Sequence, residues 1–471
     1  MATVYVSKSI GAASGAVGAD SGADGSRTHP YINIHGGMYT INRSGSAGDS
    51  GPHELIIMDS QTYQEATLGV YPTLARNNLT FMAETGSNGL PIVNPILQGS
   101  GSAATPQTFA IYCDAGWVIK GITFKNWVCA AGEGIIKQRS TSAGEGGITV
   151  ELCTFYEITG TCINAVGAGG AGNNPGYHTI RNNTFYDFQA SSSSGATIHG
   201  GGSGSPIYER QMKILNNVFY DWKPHHVSND LIIYAGANNP MRPLNIISHN
   251  TFGTSSIGAN VFPANAIYAP YAKFEYNIIA HQTNTTSFAD IEDGEANYNI
   301  THDSFGGGTH APFGGSDGPT GSANNIVADP IFKGPQLFGA AANYRLGSTG
   351  SPAVDAAIGS SDVSLDRTGL NRTTLDLSAL ATGIFDIGAY ELTGLWSDES
   401  PDSLPQIGAD FVINRIPNAD NQNRRGLQEG NSAVLGHDVD QVPLTTAING
   451  AIPSFIRKKP SASNQETGKK G

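Results

Sequence analysis

The sequence is organised by a unit of about thirty residues that recurs through its middle third. Each copy has a Phe followed three residues later by a bulky apolar residue, as in Phe124-Lys-Asn-Trp127, Phe155-Tyr-Glu-Ile158, Phe185-Tyr-Asp-Phe188 and Phe219-Tyr-Asp-Trp222, with degraded copies at Phe252 and Ile279. Successive copies lie 31, 30, 34, 33 and 27 residues apart. Short alternating or β-branched runs precede the motif, which predicts one strand per copy at this point.

The period and the composition together favour a β-solenoid. Glycine supplies 60 of the 471 residues and charged residues only 14%, a balance typical of strands and turns rather than of long helices. A repeat near thirty residues is too short for a propeller blade, and it lacks the leucine pattern of leucine-rich repeats. Three short strands with variable loops fit it. The predicted fold is therefore an all-β parallel β-helix of about a dozen coils.

An asparagine recurs two residues before the Phe position. Asn183, Asn217, Asn250 and Asn277 occupy this place in successive copies, and Cys153 takes it one copy earlier. An amide repeated beside a strand can donate to and accept from the amides above and below it. We therefore predict an internal ladder of stacked asparagines that ends at the Cys153 thiol.

Segments at both ends of the predicted solenoid carry a family resemblance. At the start stand Thr3-Val-Tyr-Val-Ser7, Gly25-Ser26 and Pro30-Tyr31; at the end, in order, stand Asp329-Pro-Ile-Phe332, Tyr344-Arg-Leu346, Ser351-Pro-Ala-Val-Asp355, Asp366-Arg367, Arg372 and Asp386-Ile-Gly-Ala-Tyr-Glu391. The chain resembles the right-handed parallel β-helix proteins of the pectate-lyase-like superfamily, including phage tailspike and decoration proteins. The resemblance implies that the second set closes the last coil, and we expect an ion-pair network there of Asp355, Asp366, Arg367, Arg372 and Asp386.

Four regions follow from these patterns. Residues 1–30 are predicted as a first strand and N-terminal cap, 31–324 as the β-helix, 325–394 as its closing segment and 395–471 as an extended arm. The arm is rich in Pro, Asn, Gln, Ser and Asp, so it lacks a core of its own. Its expected partner anchors are Phe411, Ile413, Phe455, Arg457, Lys458 and Lys459. A solvated basic tail is the alternative for its last residues.

Charge, cysteine content and the N-terminal sequence indicate which partners and which cellular compartment to expect. The net charge of −13 disfavours nucleic acid and anionic membranes as partners. The four cysteines, Cys113, Cys129, Cys153 and Cys162, have no zinc spacing and are expected to be free buried thiols, as suits a reducing cytoplasm. No basic segment followed by an apolar run opens the chain, so we expect no signal peptide.

Candidate chemistry comes from carboxylates that share one slot of the repeat. Glu157, Asp187 and Asp221 would stack about 5 Å apart, within reach of glycosidase geometry, yet Asp and Glu also serve turns. No catalytic residue is favoured. His199, His225, His226, Arg181 and Arg210 could act as base or anion clamp, or be ordinary loop residues. No cofactor is expected, and Ca²⁺ at Asp290, Glu292, Asp293 and Glu295 is weighed against a charged surface turn.

Tyr156, Tyr186 and Tyr220 follow the Phe directly and are predicted to face outward by strand alternation. Such a stripe could contact a glycan or a neighbouring subunit, or simply stack on a solvent face. The preferred function is a non-enzymatic virion protein, a capsid decoration or adhesin that folds in the host cytoplasm. We expect a homotrimer held to capsid or tail proteins by the arm, with a surface glycan as a further partner. The alternative is a tailspike depolymerase, a hydrolase or lyase of host-surface polysaccharide.

Overall fold

The structure is a computed structural model. It describes residues 3–10, 23–43, 52–64, 78–102, 110–113, 116–130, 132–138, 147–165, 177–189, 196–200, 212–223, 231–235, 245–253, 266–280, 288–302, 313–314, 321–333, 344–347, 350–358, 366–367 and 384–392. The chain divides into two units, residues 1–408 and 409–471, and every described residue belongs to the first. The arm and its predicted anchors therefore lie outside the described residues.

Short strands dominate the described chain, with one helix, α1 (Ile34–Arg43). The strands are β1 Thr3–Val6, β2 His53–Ile57, β3 Thr62–Tyr63, β4 Leu79–Ala83, β5 Ile96–Gln98, β6 Ile111–Cys113, β7 Val118–Lys120, β8 Thr123–Val128, β9 Ile136–Gln138, β10 Thr149–Glu151, β11 Thr154–Thr159, β12 Ile163–Asn164, β13 His178–Arg181, β14 Thr184–Gln189, β15 Ala196–Gly200, β16 Met212–Leu215, β17 Val218–Lys223, β18 Leu231–Ala235, β19 Ile246–Ser248, β20 Thr251–Phe252, β21 Ile267–Tyr268, β22 Lys273–Glu275, β23 Ile278–Ile279, β24 Ala289–Asp290, β25 Glu295–Asn297, β26 Ile300–Thr301, β27 Phe313–Gly314, β28 Gly321–Ala323, β29 Ile326–Val327, β30 Ala357–Ile358 and β31 Ile384–Phe385.

Three sheets contain all of these strands except β30 and β31. In the described chain one sheet has eleven strands, from β1 to β28; a second has ten, from β3 to β29; and a third has eight, from β6 to β27. Each strand pairs in parallel with the corresponding strand of the next coil, as β11 does with β8 and β14. A chain that visits three parallel sheets in rotation is a parallel β-helix, which confirms the predicted fold.

The interior is built from stacked rows of identical or similar side chains. Phe124, Phe155, Phe185, Phe219 and Phe252 are all fully buried. Their successive ring centroids lie 4.9, 4.9, 4.7 and 5.0 Å apart, which is the strand spacing of a sheet. The Phe positions therefore face inward, as strand alternation requires if the Tyr that follows them faces outward.

The asparagine ladder is present and is longer than predicted. The Asn183 backbone N–H and its Nδ2 donate to Asn217 Oδ1 at 2.9 and 3.0 Å, and Nδ2 also donates to the Val150 carbonyl at 2.9 Å. The same pattern continues through Asn250, Asn277, Asn299 and Asn325. At the other end the Cys153 N–H donates to Asn183 Oδ1 at 2.9 Å, so the thiol position closes the ladder as predicted.

The residue before each ladder position adopts a left-handed backbone conformation. These residues are Leu152, Asn182, Asn216, His249, Tyr276, Tyr298 and Asn324, with φ between 54° and 59°. Bulky residues such as Leu and Tyr rarely adopt this conformation. Each of these residues forms, with the ladder residue after it, a two-residue corner between strands of the eleven- and ten-stranded sheets. The conformation persists because the buried ladder holds the next residue in place.

Helix α1 falls inside the range that the sequence assigns to β-helix coils. Ile34 and Ile41 are buried in the main core, and a Cβ at Gly37 would lie 2.9 Å from the Val6 side chain. The glycine therefore lets the helix approach the first strand closely. The helix therefore packs its apolar side chains against the first strands, directly after the predicted N-terminal cap of residues 1–30.

The closing segment lies somewhere other than expected. Phe332, Tyr344, Leu346, Ala353 and Tyr390 pack in one buried cluster with outward residues of the ten-stranded sheet. These outward residues are Val218, Tyr220, Ile278, Ala280 and Ile300. The described part of the segment thus covers the outer face of a sheet, a position that the resemblance, which predicted cover for the end of the last coil, did not indicate. On these strands the outward-facing residues are apolar, and the segment buries the apolar surface that they form.

Candidate functional site

The predicted tyrosine stripe exists, but much of it is covered. Tyr156 and Tyr186 stack at 5.0 Å and Tyr186 and Tyr220 at 5.1 Å. Tyr220 is only 4% exposed because Tyr344 of the closing segment packs against it at 5.1 Å. Tyr220 thus faces outward as predicted, but its partner is the chain's own closing segment and not a glycan or a neighbouring subunit.

The remaining tyrosines also have occupied ring faces. Lys125 Nζ lies 5.2 Å from the centre of the Tyr156 ring, and Tyr186 lies against the other side. Tyr186 packs at the margin of the closing-segment cluster, and burial raises its pKa. The closing segment therefore covers Tyr220 and part of Tyr186, which leaves little of this stripe open to a glycan.

The candidate carboxylates occupy a recurring kink within strands of the ten-stranded sheet. Glu157, Asp187 and Asp221 have φ values of 55°, 46° and 54°, and Asn126 in the preceding coil has 56°. Asn and Asp tolerate this left-handed conformation best. The Glu157 carboxylate also pairs with Lys125 Nζ at 3.7 Å. The residues at this position thus allow the backbone to bend, and they lie inside a strand rather than at its end.

In the expected charge network of the closing segment, Asp366, Arg367 and Asp386 are buried, and the two aspartates accept hydrogen bonds from backbone groups. Asp386 accepts hydrogen bonds from the Asp355 and Leu392 N–H groups at 2.8 and 2.5 Å, and Asp366 accepts one from the Glu391 N–H at 3.2 Å. Arg367 donates to Thr184 Oγ1 and to Tyr390 Oη. These contacts fasten the segment to the sheet. Arg372 lies outside the described residues.

Arg181, one of the predicted anion clamps, is engaged by a neighbouring coil. Arg181 Nη2 lies 2.6 Å from Glu151 Oε2, and Lys120 Nζ lies 3.2 Å from Glu151 Oε1. Burial opposes ionisation of Glu151, but Arg181 and Lys120 outweigh it and lower the pKa. This charged row stabilises the eleven-stranded sheet and leaves Arg181 committed there. His225, His226 and Arg210 lie outside the described residues.

The outer face of the eight-stranded sheet carries a row that the sequence patterns did not single out. Strand register aligns Lys137, Asn164, His199, Tyr234, Tyr268 and Asp290 on successive strands. The Ile before each of Asn164, His199, Tyr234 and Tyr268 is fully buried, so these four side chains face outward. We call His199, Tyr234 and Tyr268 the aromatic row.

The aromatic row is contiguous and half-buried. The His199 and Tyr234 rings lie 5.0 Å apart and nearly perpendicular, at 83°. The Tyr234 and Tyr268 rings stack at 5.3 Å. Burial lowers the pKa of His199, which keeps the imidazole neutral at pH 7. Burial and the neighbouring Tyr234, Asp290 and Glu292 raise the pKa of Tyr268, so the row presents neutral rings with hydrogen-bonding tips.

Long connections border this sheet on both sides. The corner between the eleven- and ten-stranded sheets takes two residues, as between β13 and β14, whereas β14 to β15 takes six, residues 190–195, and β15 to β16 takes eleven, residues 201–211. Variable connections on a rigid scaffold are where binding residues concentrate. The eight-stranded sheet is therefore the face best suited to a ligand.

Comparisons with known proteins give distant matches only. No family model matches the chain, and no curated protein does. A pectate lyase is similar over 83% of this chain and 96% of its own, with 13% identity and a TM-score of 0.35. A lacto-N-biosidase of the GH136 family from Eubacterium ramulus is similar over 69% and 67%, with 12% identity and a TM-score of 0.32.

A PL6 family alginate lyase is similar over 62% of this chain, with 13% identity and a TM-score of 0.34. This chain spans 38% of the length of that enzyme. The fold is established by the strand register of the chain itself. The kind of ligand is therefore inferred from the residues of this β-helix.

The acidic cluster weighed for Ca²⁺ does not converge on one point. Among the described residues no group of three or more His, Cys, Asp or Glu side chains is arranged to hold a metal ion. Asp290 lies on the eight-stranded sheet, in register with Tyr268, and belongs to the row described above.

The described residues contain no helix that is long and apolar enough to span a bilayer.

Proposed function

We propose that this chain is a non-enzymatic carbohydrate-binding β-helix whose glycan contact is the aromatic row. The observation that carries the proposal is the alignment of three neutral rings on consecutive strands, at 5.0 and 5.3 Å. Sugars combine apolar C–H faces with hydroxyl edges. Tyr and His rings match both, since each has an apolar body and a polar tip.

The geometry of the row also favours an extended ligand. Its residues follow the stacking direction of the strands, at about 4.8 Å per strand, a length comparable to that of one pyranose unit in a linear chain. His199 and Tyr268 therefore span the equivalent of about two such steps. A linear polysaccharide lying parallel to the stacking direction would contact each ring in turn.

Affinity electrophoresis through gels containing a panel of polysaccharides tests the proposal. Tyr234→Ala with Tyr268→Ala should abolish retardation by the polymer that retards the wild-type protein. Tyr156→Ala is the matched control, because it removes a half-buried tyrosine from the ten-stranded sheet. Equal loss in the control and the double variant, or no retardation of the wild type by any polymer, would refute the proposal.

A depolymerase is the second candidate, and one observation favours it. Register places Tyr156 opposite Tyr186 and Ile158 opposite Phe188, which aligns the Glu157 and Asp187 positions one strand apart. That spacing, about 4.8 Å between strands, is near the separation of about 5–5.5 Å in retaining glycosidases. Release of reducing ends or of unsaturated, ultraviolet-absorbing products from a bound polymer would support it, provided that Asp187→Asn abolishes the product.

A virion setting is the further part of the proposal. The family resemblance of the sequence supports it, and the arm would supply the contact with capsid or tail proteins. Reversing the charges of Arg457, Lys458 and Lys459 to Glu in the full chain should prevent incorporation into particles. Incorporation at the wild-type level would contradict the role of the arm.

A further inference from the structure

In the described part of the chain, the cation in register with the aromatic row is already paired with a carboxylate. Within the described residues of the eight-stranded sheet, the cation aligned with the row is Lys137. Lys137 Nζ pairs with Glu133 Oε2 at 2.6 Å. Between Lys137 and the rings stands Asn164, whose Nδ2 donates to the Gly132 carbonyl at 2.9 Å. The positive charge at this end is thus balanced before a ligand arrives.

The other end of the row is negative. Asp290 follows Tyr268 in register, and the Asp290 and Glu292 carboxylates both act on the Tyr268 phenol. Burial raises the pKa of Asp290, the Glu292 backbone N–H opposes that rise and the Glu292 charge adds to it. Oδ1 of Asp290 is buried without a hydrogen-bond partner. Among the described residues no cation forms an ion pair with Asp290.

A polyanion on this row would meet repulsion without a compensating ion pair. Half-buried charges are screened less than exposed ones, and like charges placed together at an interface are strongly unfavourable. Hydroxyl and ammonium groups, by contrast, can donate to the phenol oxygens and to a carboxylate. The charge pattern therefore discriminates between classes of polysaccharide.

Resting on the proposed function, we infer that the ligand is a linear polysaccharide without acidic groups, built from neutral or amino sugars, and that Asp290 and the Lys137–Glu133 pair exclude polyuronates. Asp290 repels a uronate at one end of the row. At the other end Glu133 pairs with Lys137, which would otherwise attract a uronate. These two carboxylates are specificity determinants and need not contribute to affinity for a neutral polymer.

The test compares the full-length protein on three immobilised polymers: hydroxyethylcellulose, chitosan and polygalacturonate. Wild type should be retained by a neutral or basic polymer and not by polygalacturonate. Glu133→Gln with Asp290→Asn removes two negative charges and should raise the affinity for polygalacturonate at least about tenfold, with binding that weakens in salt. Glu54→Gln with Glu84→Gln, which removes two carboxylates elsewhere, should leave it unchanged.

The outcomes separate this inference from the proposed function. Wild-type binding to polygalacturonate as tight as to hydroxyethylcellulose, with loss in the Tyr234→Ala variant, would overturn the charge inference and leave glycan binding by the row intact. An equal gain in the two double variants would also overturn it, since the effect would then follow net charge. Absence of retention on all three polymers would overturn both.

Discussion

Tyr344 packs against Tyr220 with ring centroids 5.1 Å apart and ring planes tilted by 36°, and it occupies the place that the next coil leaves empty. Tyr156, Tyr186 and Tyr220 succeed one another on neighbouring strands, and the position that follows belongs to Gly253. A Cβ at Gly253 would overlap the Tyr344 ring. A side chain from the closing segment thus continues a stack that the β-helix begins, which locks the segment in register with the coils.

Gly253→Ala should therefore destabilise the protein by about 1–3 kcal/mol, since overpacking forces the Tyr344 ring to move. The measurement is the guanidinium midpoint of unfolding. In a Tyr344→Ala background the same substitution should cost far less, because the ring that it meets is gone. An equal cost in both backgrounds would show that Gly253 acts through its backbone and not through Tyr344.

Asn217→Ala should cost about 2–4 kcal/mol of unfolding free energy. The substitution removes the acceptor of two Asn183 donors and the donor to the Ile180 carbonyl and to Asn250. All of these groups are buried, so they lose partners without gaining water.

Asn325→Ala provides the comparison for the ladder. Asn325 accepts from Asn299 and donates to the Ala296 carbonyl, but it is only partly buried, so water can replace its bonds. Its cost should be clearly smaller than that of Asn217→Ala in the same denaturation assay. Equal costs would mean that the ladder does not stabilise through burial.

Acidification should remove the contribution of Glu151. Its pKa is lowered in the folded state, since Arg181 and Lys120 outweigh burial, so its stabilisation is present above the unfolded pKa of about 4.3 and is lost as pH falls through the folded pKa. The stability difference between wild type and Glu151→Gln should thus shrink below about pH 4.3. Glu157→Gln is the control for an exposed carboxylate. A difference that does not change with pH would contradict this account.

The cysteine thiols should be unreactive until the protein unfolds. All four cysteines are free and buried, as the sequence predicts, and burial raises the pKa of Cys129 and Cys153 to about 12. A thiolate is the reactive form. Ellman's reagent should titrate no thiol in native protein and four in guanidinium; rapid reaction of native protein would contradict the buried placement.

The coil architecture was predictable because its strongest signals repeat at fixed offsets. The Phe positions and the ladder asparagines keep a constant two-residue separation, as Asn183 does from Phe185, so register followed from spacing. Asn299 and Asn325 were missed because the aromatic half of the motif fades there. The ladder needs only the amide and survives without the Phe.

The placement of the closing segment and the aromatic row could not be read from that motif. Val218, Ile278 and Ile300 mark the covered sheet face only once the strand register is known. The pairs Ile163-Asn164, Ile198-His199, Ile233-Tyr234 and Ile267-Tyr268 do recur at 35, 35 and 34 residues. Their second member changes type from coil to coil, because an outward position is not constrained by packing.

A structure of the protein with a bound oligosaccharide of six neutral or amino sugars tests the central claim most directly. We predict sugar density along the eight-stranded sheet, in contact with Tyr234 and Tyr268 and running parallel to the stacking direction. Density over Tyr156 and Glu157 on the ten-stranded sheet, with the aromatic row empty, would contradict it.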